Sequence, residues 1–174
     1  ASCIGITCSS NGTNGNGDIF VNDAITWMST NTLTLRAQQN INLNAALQAS
    51  NGTLVLNAGT AVNPWAAVQV GTFSLEQGSW QQNSASLPAF YARDFQLNGG
   101  RFLRVQGGDG GVANPYQLAD VYGLQGIGSD TALWDKAFVL ANDIDASGTN
   151  NWYGGLGFLP IGGVNAYFEQ YPFW

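Results

Sequence analysis

The sequence predicts an all-β fold built as a stack of coils, a β-solenoid, and three observations carry that expectation. Apolar residues alternate with polar ones at period two, the mark of strands with one buried face, in Ile19/Val21, Ile25/Trp27, Leu33/Leu35, Ile41/Leu43, Leu54/Leu56, Val68/Val70, Phe73/Leu75 and Phe95/Leu97. Turn-forming residues punctuate these runs at Asn16-Gly17, Asn22-Asp23, Asn51-Gly52, Asn57 with Gly59, Gly78 and Asn98-Gly99. Equivalent leucines recur at near-constant spacing: Leu35 to Leu56 is 21 residues, Leu56 to Leu75 is 19, and Leu75 to Leu97 is 22. A period of this size belongs to stacked coils rather than to paired hairpins. A β-sandwich of short strands is the alternative the spacing leaves open.

Taken in order, residues 1–16 are a Gly/Asn-rich segment in which Cys3 and Cys8 stand five apart, suited to a disulfide closing a small loop, with free thiols as the other reading. Residues 17–106 hold the coils. Within them Asn40, Asn42 and Asn44 alternate with Ile41 and Leu43, so the asparagines face outward. Amide ladders between coils are one expectation there, and solvated surface asparagines the commoner one. Residues 107–115, GGDGGVANP, read as a turn-rich linker. In the remaining segment, 116–174, Leu118, Val121, Tyr122 and Leu124 suit one short helix near 117–126. A strand over AFVLANDIDA (137–146) and a Gly/aromatic stretch, NNWYGGLGFLPIG (150–162), follow.

Composition narrows the function. The 174 residues carry a 9% charged fraction against about 25% in ordinary domains. Five basic and eleven acidic residues give a net charge of −6. No basic patch can form, which argues against nucleic acid as a partner. No apolar run approaches the ~20 residues of a membrane-spanning helix, so no membrane insertion is expected. No signal peptide is evident, and the expectation is an exported fragment whose signal was removed or lies upstream. The two cysteines suit an oxidising compartment.

Two long stretches resemble filamentous-haemagglutinin-like exoproteins of the two-partner secretion type. Residues 17–59, GDIFVNDAITWMSTNTLTLRAQQNINLNAALQASNGTLVLNAG, are similar to the coil sequence of that family, with the strand, Trp, Thr-Leu-Thr-Leu and Asn-Ile-Asn-Leu-Asn elements in the same order. Residues 107–162, from GGDGGVANPYQLADVYGLQGIG to GFLPIG, resemble the segment that introduces GLUG-type repeats in bacterial surface adhesins, and 71–105 resemble the spacer between the two. The resemblance implies a right-handed parallel β-helix on the bacterial cell surface that attaches to cells, surfaces or other copies of itself. After GFLPIG the chain departs from the family pattern and reads GVNAYFEQYPFW.

Among sites, the absence of histidine removes the usual general base and the Ser-His-Asp arrangement, so an enzyme is not expected, nor any cofactor. The best carboxylate pair is Asp143 and Asp145. Strand alternation would set both on one face beside Trp152 and Tyr153, a surface for a host or surface glycan, against the plainer reading of carboxylates at a turn. A single calcium at Asp109 or at the Asp143/Asp145 pair lacks a repeating ligand pattern, so no metal is assigned. The tripeptides Asn11-Gly12-Thr13 and Asn51-Gly52-Thr53 are of the N-glycosylation type. Tyr167, Phe168, Tyr171, Phe173 and Trp174 put five rings into eight residues. They suit a cap over the end of the stack or, together with the unpaired edge of the end coil, docking into a second copy to form a filament. The leading expectation is an extracellular structural and adhesive module. A self-assembling filament subunit and a glycan-binding module are the alternatives.

Overall fold

A computed structural model describes residues 17–162 and the backbone of residues 4–8. The described residues form a parallel β-solenoid of about six turns with one short α-helix. Its strands are β1 (Ile4–Cys8), β2 (Ile19–Val21), β3 (Ile25–Thr26), β4 (Thr32–Ala37), β5 (Ile41–Leu43), β6 (Leu47–Pro64), β7 (Val68–Asn83), β8 (Phe90–Leu97) and β9 (Arg101–Val105). All are joined in one parallel sheet.

Each coil offers three short faces, and equivalent residues of successive coils lie side by side. On the first face Leu33, Leu54, Phe73 and Phe95 form one inward column, and Leu35, Leu56, Leu75 and Leu97 another. The second face aligns Ile19, Ile41, Val62, Trp80 and Phe102. The third aligns Ile25, Leu47, Val68 and Phe90. A period-two strand in a parallel stack puts every inward residue against its counterpart one coil away, and that repetition makes the core. Strands β6 and β7 turn the corners without ending, so Asn51-Gly52, a turn by sequence, is a bend inside β6. At another corner Gly78 has φ +101°, and a Cβ there would press on Ala58, so glycine is required on both counts.

The asparagines face outward, Asn44 being exposed, and of the two expectations for them the ladders between coils form. Asn63 Nδ2 donates to Asn42 Oδ1 (2.9 Å), Asn44 Nδ2 to Asn22 Oδ1 (2.8 Å), and Asn40 Nδ2 to Asp18 Oδ1 (3.0 Å). Parallel in-register coils hold like residues one strand spacing apart, a distance an amide spans without strain.

Past β9 the chain leaves the stack. Residues 107–115 fold into a closed turn in which Asp109 N–H donates to Asn114 O (3.0 Å) and Asn114 N–H to Gly111 O (3.1 Å). Asp109 Oδ1 accepts from Gly111 N–H (2.8 Å), which holds its carboxyl below the usual carboxylate range. Strand β10 (Tyr116–Leu118) then pairs in parallel with β11 (Phe138–Leu140). Between them lie helix α1 (Val121–Gly126), capped by Asp120 through its bond from Gly123 N–H (2.9 Å), and two turns of 3₁₀ helix, Ile127–Ser129 and Thr131–Leu133. The helix forms within the predicted 117–126 window. The strand expected over 137–146 is corrected to three residues. Its partner β10 ends at Leu118, which takes a last bond from Ala141 N–H (2.8 Å) and leaves no further rung.

Two cores result. The solenoid interior is continuous from Ile19 to Phe102 and is completed by Tyr122 and Trp152. A second, smaller cluster of Leu103, Val105, Leu118, Ile127 and Leu133 lies on the other side of β9. Alternation along β9 therefore feeds both: Phe102 enters the solenoid, Leu103 and Val105 the second cluster.

Candidate functional site

The C-terminal end of the stack is closed by side chains from three directions. Tyr122 Oη accepts from Ala92 N–H (3.0 Å) and donates to Ala92 O (3.1 Å). Tyr153 Oη accepts from Leu97 N–H (3.3 Å), and Ser129 Oγ accepts from Phe102 N–H (2.8 Å). Each bond satisfies a strand amide that a further coil would otherwise have taken. Helix α1 approaches so closely that a Cβ on Gly126 would collide with the Phe102 carbonyl, and one on Gly123 with that of Arg104. The expectation that the end coil leaves an unpaired edge is therefore corrected at this end for Ala92, Leu97 and Phe102. Burial drives the phenols of Tyr122 and Tyr153 above their ordinary pKa, the principal cause in both being the loss of water around the ionised form.

Arg104 ties the cap to the coil below it. It points inward, is buried, and donates to Asp120 Oδ2 (2.7 Å), Gln82 Oε1 (2.6 Å) and Pro88 O (2.9 Å). Its guanidinium also lies over the Phe90 ring, 5.7 Å from the centroid. Gln82 in turn accepts from Trp80 Nε1 (3.1 Å) and donates to Pro64 O (2.9 Å). Each of the three guanidinium nitrogens is thus engaged in holding structure.

The same closure leaves a cleft of about 410 Å³. Tyr91, Ala92 and Arg93 of β8 form one wall, Ala119–Tyr122 at the start of α1 a second, and residues 143–152 a third. Buried Ala92, Tyr122 and Trp152 lie at its base, and exposed Tyr91, Arg93, Asp143, Asp145, Ser147 and Asn151 around its mouth. Asp145 Oδ1 accepts from Ser147 N–H (2.8 Å), which lowers its pKa, and Asn142 Nδ2 donates to Ala119 O (3.1 Å) and to Asp143 O (2.6 Å). These bonds set both carboxylates on a loop.

The sequence-predicted glycan surface is accordingly redrawn. Asp143 and Asp145 do share the cleft with Trp152, but Trp152 is only 1% exposed, stacked on Tyr122 with centroids 5.3 Å apart and packed on Phe95. Its ring faces are occupied by protein and offer no platform to a sugar. Tyr153, at φ +51°, spends its hydroxyl on Leu97 and does not line the cleft. Sequence reasoning missed Tyr91, Arg93 and Asp120. The available signal was period two in Phe90-Tyr91-Ala92, which puts the tyrosine outside once its neighbours are inside. Among the described residues no group of three or more Cys, Asp or Glu side chains is arranged to hold a metal ion. The Cys3–Cys8 disulfide, the Asn11 sequon and the ring-rich Tyr167, Phe168, Tyr171, Phe173 and Trp174 lie outside the described residues.

A second hollow, of about 440 Å³, is apolar and lined by Ile127, Leu133, Trp134, Lys136, Phe138 and Ile161.

Comparison with known proteins gives one informative likeness. The chain is similar to part of halomucin from Haloquadratum walsbyi (strain DSM 16790 / HBSQ001), with 31% identity over 134 residues, covering 70% of this chain. It spans 1% of the length of halomucin. No family model matches the chain, and no solved structure matches it. Among the described residues no helix is long and apolar enough to cross a membrane.

Proposed function

We propose that this chain is an extracellular structural module of a surface exoprotein, a rigid spacer that contributes to attachment or matrix formation and performs no catalysis. The observation that carries the reading is the parallel stack itself. Its coils are held by backbone ladders, amide ladders and a continuous apolar interior, which gives a stiff body, and the sequence is only 9% charged. The surface of such a body binds by shape and hydrogen bonding and is little affected by salt, because few charges are present for salt to screen. The likeness to a stretch of halomucin, a protein so long that this chain matches 1% of it, supports a role as one segment of an extended molecule. The low charged fraction and the resemblance of residues 17–59 and 107–162 to surface exoproteins support placement outside the cell, and adhesion of the filamentous-haemagglutinin kind is the finer form of the proposal.

The test has two arms. Antibody raised to the purified chain should label intact, unpermeabilised cells of the source organism, and brief external protease treatment should remove the label. Beads coated with the chain should adhere to those cells or to one another more than beads coated with an unrelated acidic protein. Label found only after permeabilisation would overturn the extracellular placement, and equal adhesion of both bead types would overturn the attachment role.

A further inference from the structure

We propose that the cleft between β8, the start of α1 and residues 143–152 is a binding site for a short stretch of neutral saccharide, with Tyr91 as its stacking platform. The proposal goes beyond the spacer role and stands or falls separately from it.

The argument begins with which polar groups are already engaged. Asp120 is held by Arg104 and by Gly123 N–H, and Asp145 Oδ1 accepts from Ser147 N–H. Arg93 and the carboxylate of Asp143 make no hydrogen bond or ion pair with another described residue, although both line the cleft. One is donor-only and the other acceptor-only, while Asn151, which gives one N–H to Asn150 Oδ1 (3.0 Å), keeps a second N–H and its oxygen. A ligand matching that set must give and receive hydrogen bonds within one small volume. Vicinal hydroxyls do so.

Charge selects within that class. Asp143 and Asp145 stand against a single arginine there, Asp120 being neutralised by its pair with Arg104, so an anionic sugar meets a small net repulsion. A cationic ligand meets the Arg93 guanidinium at the mouth. A neutral ligand avoids both costs. Tyr91 supplies the remaining element. The residue is 54% exposed and stands outward on β8, since its neighbour Ala92 is turned into the core. An exposed aromatic face beside convergent polar groups suits the apolar C–H face of a pyranose ring. The volume of about 410 Å³ lies within the range of small-ligand pockets. Support comes from below: Tyr122 is tied to Ala92, and Trp152 is stacked on Tyr122, so the base is fixed before any ligand arrives.

The test is isothermal titration calorimetry of the full chain with maltotriose, cellotriose and mannotriose, set against trigalacturonate and the glucosamine trimer, with chemical-shift mapping of the cleft. At least one neutral trisaccharide should bind and shift resonances of Tyr91 and Asn151, and the trigalacturonate should bind more weakly than it. Tyr91→Ala should weaken binding roughly tenfold or more, Tyr91→Phe should retain it, and Asp143→Asn should weaken it a few-fold. Because Tyr91 and Asp143 are exposed, all three variants should melt with the parent. The proposal is overturned by no binding of any neutral trisaccharide at millimolar concentration, by the glucosamine trimer binding alone, or by Tyr91→Ala and Asp143→Asn both binding as the parent does.

Discussion

The coils from Ile19 to Leu75 and the cap from Ala119 to Phe158 solve the same problem, burial of apolar surface, by opposite means. In the coils one rule repeats: an inward aliphatic residue lies on its counterpart in the next coil, as in Leu33 on Leu54 and Leu35 on Leu56. The cap has no repeating rule and uses large rings and named polar contacts. The interior records the change. It is aliphatic at Leu33 and Leu54 and becomes aromatic at Phe73, Trp80, Phe90, Phe95 and Phe102, where Phe73 stacks on Phe95 (5.5 Å) and Trp80 on Phe102 (5.2 Å). Tyr122 and Trp152 then finish the cluster. A repeating stack has no natural end, so an end must be made from residues that do not repeat.

Four substitutions would break or sharpen that contrast. The largest effect is expected from Phe73→Ala, since Phe73 packs on Trp80, Phe90, Phe95 and Phe102 together. A loss of about 3–5 kcal/mol is expected in denaturant unfolding, with hydrogen exchange accelerated in coils and cap alike. Arg104→Ala should follow, at about 3 kcal/mol, because it leaves the Asp120 carboxylate without its cation and takes one bond from Gln82. Its exchange signature should be confined to α1 and β9. Equal acceleration at Leu33–Leu56 would show that coils and cap unfold as one unit.

Tyr122→Phe comes next, at about 1–3 kcal/mol, since it leaves the buried N–H and C=O of Ala92 without their partner. The same group gives a pH prediction. Its folded pKa is raised above the ordinary 10.0, so its stabilising contribution is complete below about pH 10 and is lost as the pH climbs toward the folded pKa. Tyr153 acts in the same sense. The wild type should lose stability above pH 10 in denaturant titrations, and Tyr122→Phe should show a shallower decline. An identical decline in the two would place the alkaline sensitivity elsewhere. The smallest effect is expected from Asn63→Ala, which removes one rung of an amide ladder at about 0.5–1.5 kcal/mol and should leave exchange in the cap unchanged.

How far the sequence could be read follows the same division. Leu35, Leu56, Leu75 and Leu97 announced the coils through period and spacing, and they do lie in one column. The asparagine ladders follow once in-register stacking is assumed, although solvated asparagine is the commoner case. In the cap, the helix is legible from Leu118 to Leu124, but Trp152 reads as a surface ring and is a buried one. Nothing in NNWYGGLG separates a tryptophan that fills a core from one that faces water, because that depends on Tyr122 and Phe95, 30 and 57 residues away.

The amino-acid order alone determined that this chain forms strands with one buried face, that this face recurs about every twenty residues, and that few charges are present. Those properties are local or periodic, and strand alternation and turn chemistry act over a few residues at a time. The tertiary structure decided how the stack ends, which rings are spent in closing it, and that Tyr91, Arg93 and Asp143 share one cleft. These outcomes depend on which distant side chain satisfies each strand amide of the last coil, and no local pattern in a sequence records that choice.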